Sequence, residues 1–176
     1  FTAHRGKTDE PTRIGSNNFF MSNTHVGHDC QVHDHCILAT GAVLGGHVVV
    51  EDRVIIGGNT AVAQFVHIGM GAFLTGGYAT SQGVPPWFML TCTNTCGSLN
   101  LIGMRRNGMD KDAIARRKWV YKTLEMNDGM FDPRNREVVD AEPHFDFEID
   151  EEWAKYDYVL DGERVTGNLA MKGTID

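Results

Sequence analysis

The sequence predicts an all-β chain wound as a parallel β-helix, three hexads to a coil, with a short α-helical extension towards the C-terminus. Three observations predict it. Stepping in sixes from Ile14 meets Phe20, Val26, Val32, Leu38, Leu44, Val50, Ile56, Val62, Ile68 and Leu74, and every one is large and apolar. With 41% of the chain hydrophobic, chance produces such a run on the order of one time in ten thousand or less. Four residues after an anchor the side chain is small or β-branched, as at Thr24, Cys30, Cys36, Ala42, Val48, Val54, Thr60, Val66 and Ala72. Beyond about residue 80 the period stops and a helical segment follows.

A period of six fits neither the 3.6 of an α-helix nor the 2 of a simple meander. Each hexad therefore makes one short strand and one turn, and three hexads close a triangular coil whose anchors point inward and stack. Glycine follows many anchors, at Gly15, Gly27, Gly45, Gly57 and Gly69, and is expected to permit the tight corner. Eighteen residues per coil place residues i and i+18 in one column, about 4.7–4.9 Å apart. Gly46 then lies above His28, Gln64 above Gly46, and His47 beside that column. A histidine, a glycine with an unshielded N–H and an amide in one line suit acyl transfer: a base, an oxyanion donor and a polar positioner.

The prolines of "SQGVPPWFML" are expected to lead the chain off the coils. "DKDAIARRKWVYKTLEM" predicts a helix over 110–126 with Asp110 as N-cap and Ile114, Trp119 and Leu124 among its apolar residues. "YDYVLDGERVTGNL" predicts a short hairpin around Asp161-Gly162. Between Glu125 and Glu163 stand 14 acids against 3 basic residues, around Phe145, Phe147, Trp153, Tyr156 and Tyr158, which reads as a partly extended, solvated tail. The organisation expected is coils over 1–88, a loop and helical part over 89–128, and an acidic tail of unclear fold over 129–176.

Composition excludes some classes. A net charge of −7 argues against nucleic acid as partner. No apolar run reaches the roughly 18–20 residues of a membrane span, and no signal segment opens the chain, which starts at "FTAHRG" without Met and reads as incomplete. Cys30, Cys36, Cys92 and Cys96 lack zinc-knuckle spacing and are read as reduced, small core residues.

The stretches "IGSNNFFMSNTHVGHDCQV", "CILATGAVLGGHVVV", "IIGGNTAVAQFVHIG", "VPPWFML" and "SLNLIGMRRNGM" resemble a known family, the bacterial acyl-carrier-protein-dependent UDP-N-acetylglucosamine O-acyltransferases of lipid A (lipopolysaccharide) synthesis. The resemblance covers residues 12–126. It implies a cytoplasmic homotrimer of left-handed β-helices that uses no cofactor and no metal. It further implies transfer of an acyl group, of the 3-hydroxyacyl type, from acyl carrier protein to the sugar 3-hydroxyl. Carried over residue by residue, His28 matches the general base, Asp29 the carboxylate that orients it, and Gly46 the oxyanion donor. His25, His47 and Gln64 match residues of the nucleotide-sugar and acyl pocket, Gly76 a position whose small size admits a longer chain, and Asn100 and Arg106 residues near the nucleotide. Arg105, Arg116, Arg117 and Lys118 fall where the family's carrier protein docks. Ala63 stands where the family usually has His, and Asn107 replaces the last of a basic run. The N-terminal coils of the family do not occur in this sequence.

Each assignment has a plainer counterpart: His28, His33, His35 and His67 as solvated corner histidines, and the basic run as a solvated helix face. Rival functions on such coils are a coenzyme-A-dependent acetyltransferase, a catalytically degenerate relative, and a zinc carbonic anhydrase-like enzyme using His28, His33 and a third ligand near His4.

Overall fold

The computed structural model describes residues 11–126 together with 158–160 and 163–165. Twelve two-residue strands follow one another at intervals of six. They are β1 (Arg13–Ile14), β2 (Phe19–Phe20), β3 (His25–Val26), β4 (Gln31–Val32), β5 (Ile37–Leu38), β6 (Val43–Leu44), β7 (Val49–Val50), β8 (Ile55–Ile56), β9 (Ala61–Val62), β10 (His67–Ile68), β11 (Phe73–Leu74) and β12 (Ala79–Thr80). Every third strand pairs in parallel, giving the sheets β1-β4-β7-β10, β2-β5-β8-β11 and β3-β6-β9-β12. Partners are eighteen apart throughout, as in Val26↔Leu44 and Leu44↔Val62. The chain is the parallel β-helix that the period demands.

The anchor is the second residue of each strand and faces the axis, and Leu38, Ile56, Ile68 and Leu74 are fully buried. Cys30, Cys36, Ala42, Val48, Val54, Thr60 and Ala72 form the second inward column, also fully buried. Burying each large anchor contributes about 1.5–3 kcal/mol, so one charged substitution at Ile56 would break a coil. Ile14, on the outermost described strand, has a neighbour on one side only and remains 40% exposed.

Two local readings need correction. Gly27 and Gly45 do not take the left-handed backbone; a Cβ on Gly27 would lie 2.6 Å from the carbonyl of Gly45, and one on Gly45 would lie 2.7 Å from the nitrogen of Gln64. Close approach of successive coils is what requires them. The left-handed backbone falls two residues later, with φ near +60° at Asn17, Asn23, Asp29, His35, His47, Arg53, Asn59 and Phe65, and with φ of 73°, 64° and 83° at Gly41, Gly71 and Gly77. This column was legible, since Asn, Asp and Gly dominate it and tolerate that conformation best.

The prolines do not lead the chain off the stack either. Val84 bridges Ile68 in parallel, and β13 (Phe88–Cys92) pairs with β11 with Leu90 on Leu74. The step has shrunk from eighteen residues to sixteen, because only three residues separate Thr80 from Val84. Pro85, Pro86 and Trp87 are buried against the last coil. β13 then turns back antiparallel onto β14 (Thr95–Leu99), where a loop was expected.

Helix α1 (Leu101–Arg106) follows, then α2 (Lys111–Met126). α2 begins where Asp110 Oδ1 accepts from the N–H of Ala113 at 2.7 Å, and Ile114 packs into the core. β15 (Tyr158–Leu160) and β16 (Glu163–Val165) form the expected antiparallel hairpin. The remaining acidic segment, with Phe145, Phe147, Trp153 and Tyr156, lies outside the described residues. Among those described, no helix is long and apolar enough to cross a membrane.

Candidate active site

The site is a corner. Between β3 and β4 the chain turns through His28 and Asp29, one coil on through Gly46 and His47, and one further through Gln64 and Phe65. Asp29 (φ 59), His47 (φ 61) and Phe65 (φ 64) all take the left-handed conformation, so three successive turns superpose. The stacking is direct: the N–H of His47 donates to the carbonyl of His28 at 2.9 Å, and that of Phe65 to the carbonyl of Gly46 at 3.0 Å.

Asp29 is buried to 6% exposure and its N–H donates to Thr12 Oγ1 at 2.7 Å. Its Oδ2 lies 2.8 Å from Nδ1 of His28. With Asp29 ionised, Nδ1 carries the proton and Nε2 is left as the basic nitrogen. Nε2 lies against Gly46, whose Cβ, if it had one, would be 2.6 Å from it. Gly46 is buried, and among the described residues its N–H meets no acceptor. A buried amide left unpaired is uncommon. The residue that carries it packs against a basic nitrogen, and such a pair can let one group take a proton while the other meets developing negative charge.

His47 Nε2 stands 3.7 Å from the same Asp29 oxygen, and the two imidazoles meet edge to face at 5.0 Å. Phe65, 65% exposed, stacks on His47 at 4.6 Å with 6° between the planes. Phe65 has no role among the residues expected at the site; its place eighteen residues after His47 was the available signal. Gln64 is exposed in its turn, and His25 is exposed on β3, three residues before His28.

The other expected site residues stand elsewhere on the chain. Gly76 is at the corner that follows β11. Asn100 caps α1, accepting from the N–H of Gly103 at 2.9 Å while its amide donates to the carbonyl of Gly71 at 2.9 Å. Both ends of Asn100 are thus engaged in holding α1 to the last coil. Arg105 and Arg106 are exposed in the last turn of α1, where cations also suit the helix dipole. Asn107 caps that turn, its amide donating to the carbonyl of Gly103 at 2.9 Å. On α2, Arg116 and Lys118 are exposed and Arg117 is half-buried, so Arg117 presents less of the basic face than its sequence neighbours.

A second histidine–carboxylate pair had no counterpart in the sequence reading. Glu51, 6% exposed, accepts from the N–H of Met70 at 2.9 Å, and its other oxygen lies 2.9 Å from Nε2 of His67. His67 is therefore a strand residue tied to a buried acid, not a free corner histidine. The cysteines also divide. Burial raises the thiols of Cys30, of Cys36 to about 11 and of Cys96 to about 12, whereas Cys92 is exposed and is not a core residue. His33 does not join His28: among the described residues the grouping of metal-ligating side chains is His28, Asp29 and His47. His4 lies outside the described residues.

Two family patterns match the chain, "Bacterial transferase hexapeptide (six repeats)" over residues 11–46 and "Udp N-acetylglucosamine O-acyltransferase; Domain 2" over residues 84–155. Among curated proteins it is similar to the acyl-[acyl-carrier-protein]--UDP-N-acetylglucosamine O-acyltransferase of Agrobacterium fabrum, 40% identical over 126 residues, which are 70% of this chain and 46% of that protein. The protein of the same description from Rhizobium etli is 46% identical over 114 residues, 64% of this chain and 42% of that one. Among solved structures, Arabidopsis UDP-N-acetylglucosamine acyltransferase superposes with a TM-score of 0.64 at 37% identity, covering 72% of this chain and 44% of that one. The Moraxella catarrhalis UDP-N-acetylglucosamine O-acyltransferase gives 0.62 at 33% identity, covering 75% and 53%. The chain spans about half the length of the relatives it matches.

Proposed function

We propose, from the premise that this chain is a relative of the UDP-N-acetylglucosamine O-acyltransferases, that it transfers an acyl group from acyl carrier protein to the 3-hydroxyl of UDP-N-acetylglucosamine, in the cytoplasm, as the first step of lipid A synthesis. One observation carries the reading beyond kinship: buried Gly46, whose N–H has no acceptor among the described residues, packs against the nitrogen of His28 that Asp29 leaves basic. His28 Nε2 removes the hydroxyl proton, and the alkoxide attacks the thioester carbonyl. The N–H of Gly46 stabilises the tetrahedral oxyanion. The carrier thiolate then leaves and takes up the proton that His28 holds. The reaction needs no covalent enzyme intermediate. The experiment is His28→Ala: turnover falls by about 10²–10⁴ while nucleotide-sugar affinity stays near the parent's, because the imidazole acts in the transition state. Turnover within a few fold of the parent would move the base elsewhere.

The working form is a homotrimer. Within one chain the His28 corner, the Gly76 corner and the Arg106 end of α1 are separate places, so one pocket holding all three draws on two chains. A threefold ring uses one heterologous interface three times and closes. The exposed apolar side chains Phe19, Val43, Phe65 and Tyr78 supply surface to cover. Sedimentation at low micromolar concentration should show a trimer; a monomer that retains full activity would refute the shared pocket.

A further inference from the structure

We propose that His28, Asp29 and His47 also form a binding site for a divalent transition cation of the zinc class, and that the bound cation disables His28 as a base. Their donor atoms lie within 4.8 Å of one another. Around the shared Asp29 Oδ2, His28 Nδ1 stands at 2.8 Å and His47 Nε2 at 3.7 Å. A tetrahedral cation bonded at about 2.0–2.1 Å holds its donors about 3.3 Å apart, and the two separations bracket that value. Two imidazoles and a carboxylate form a three-ligand set that leaves one position for water. Imidazole suits zinc, cobalt and nickel, whereas magnesium and calcium take oxygen ligands.

The fold holds these donors in place. Asp29 and His47 are eighteen residues apart at equivalent corner positions, so the rung spacing of the β-helix sets their separation. The Asp29 side chain is 2% exposed, while those of His28 and His47 are 22% and 24% exposed: the carboxylate forms the floor and the rings flank the entrance. Stacking on Phe65 fixes the plane of the His47 ring, an outer support of the kind that tunes metal ligands.

The consequence for the base follows from tautomers and rests on the acyl-transfer reading; the cation site itself does not. In the free corner the ring proton is on Nδ1, towards Asp29, and Nε2 has the lone pair. A cation takes Nδ1 and the carboxylate, so the proton of the neutral ring moves to Nε2. That nitrogen is then a donor and cannot accept the hydroxyl proton. The cation is an inhibitor, not a cofactor.

The test titrates Co²⁺ into the full chain, free of any affinity tag and stripped with chelator. One equivalent per chain should bind saturably, with the visible bands of low-coordinate nitrogen–oxygen cobalt and without thiolate charge transfer. His47→Ala and Asp29→Asn should each weaken binding by about tenfold or more, and circular dichroism should show both variants folded. Absence of saturable binding, unchanged binding in both variants, or thiolate bands from Cys92 would overturn the site. In the transfer assay Zn²⁺ should inhibit the parent, chelator should restore it, and the residual activity of His47→Ala should resist inhibition. Cobalt binding lost in both variants, beside a transfer rate indifferent to zinc, would overturn the tautomer consequence. A parent that binds cobalt but transfers no acyl group would reject the acyl-transfer reading and leave the site standing.

Discussion

Gly46→Ala separates the position of the base from the stability of the fold. Gly46 has no positive φ, so the backbone accepts alanine. The added Cβ would stand 2.5 Å from Cε1, 2.6 Å from Nε2 and 3.0 Å from Nδ1 of His28. Carbon atoms in comfortable contact sit about 3.5–4.0 Å apart, so the ring must retreat by about 1 Å. A misplacement of that size in a reacting group costs about 10² in rate. Initial rates with saturating nucleotide sugar and acyl carrier protein should fall by about that factor, with the melting temperature nearly unchanged. The same substitution in a His28→Ala background should cost no more than about twofold, since the ring it displaces is gone and the two effects do not add. Gly27→Ala is the contrast. Its Cβ would be 2.6 Å from the Gly45 carbonyl and 2.8 Å from the Gly46 nitrogen, and backbone cannot swing aside, so a cost of about 1–3 kcal/mol should appear as lost stability. A 10² loss from Gly46→Ala in both backgrounds would refute displacement of His28 and place the lesion on the Gly46 N–H itself. A loss of less than twofold in the parent would refute the whole geometry.

Two further outcomes follow from the helices. Arg116→Glu with Lys118→Glu should raise the KM for acyl carrier protein on the order of tenfold, leave nucleotide-sugar affinity alone, and remove the fall of rate with salt that screening produces; equal use of acyl coenzyme A with no salt effect would instead favour the acetyltransferase rival. The Asp110 carboxyl is held below its ordinary 3.8 chiefly by the Ala113 N–H, with smaller help from Asp112 N–H, Arg116 and Arg117. A depressed carboxylate stabilises the fold above the unfolded pKa and ceases to as pH falls through the folded one. The protection of the Ala113 amide, its exchange rate relative to the unfolded chain at the same pH, should therefore fall as pH drops below 3.8 in the parent and much less in Asp110→Asn, which keeps a capping oxygen without the charge; an equal fall in both would show that the cap's charge is irrelevant.

The coil was legible in the residues alone. A period of six with anchors inward leaves no other closed solution, and the register of eighteen follows from three hexads per turn, so the stacking of His28, Gly46 and Gln64 was readable before any coordinates. Asp110 and the 158–165 hairpin were equally local, because caps and tight turns depend on a few adjacent residues. What crosses that register emerges only when the coils pack together. The coil after Thr80 keeps stacking with a step of sixteen, since the hydrogen bonds of Val84 to His67 and Gly69 and burial of Trp87 outweigh the proline signal. Glu51 reaches His67 sixteen residues on, a pairing that no column of eighteen contains. Gly27 and Gly45 are required by the backbone of the next coil rather than by their own dihedrals, and that neighbour exists only once the coils have stacked. The meeting of Asp29 with His47 lies between these cases: their spacing was on the page, but whether both side chains turn to the same point depended on the left-handed corner that each residue adopts.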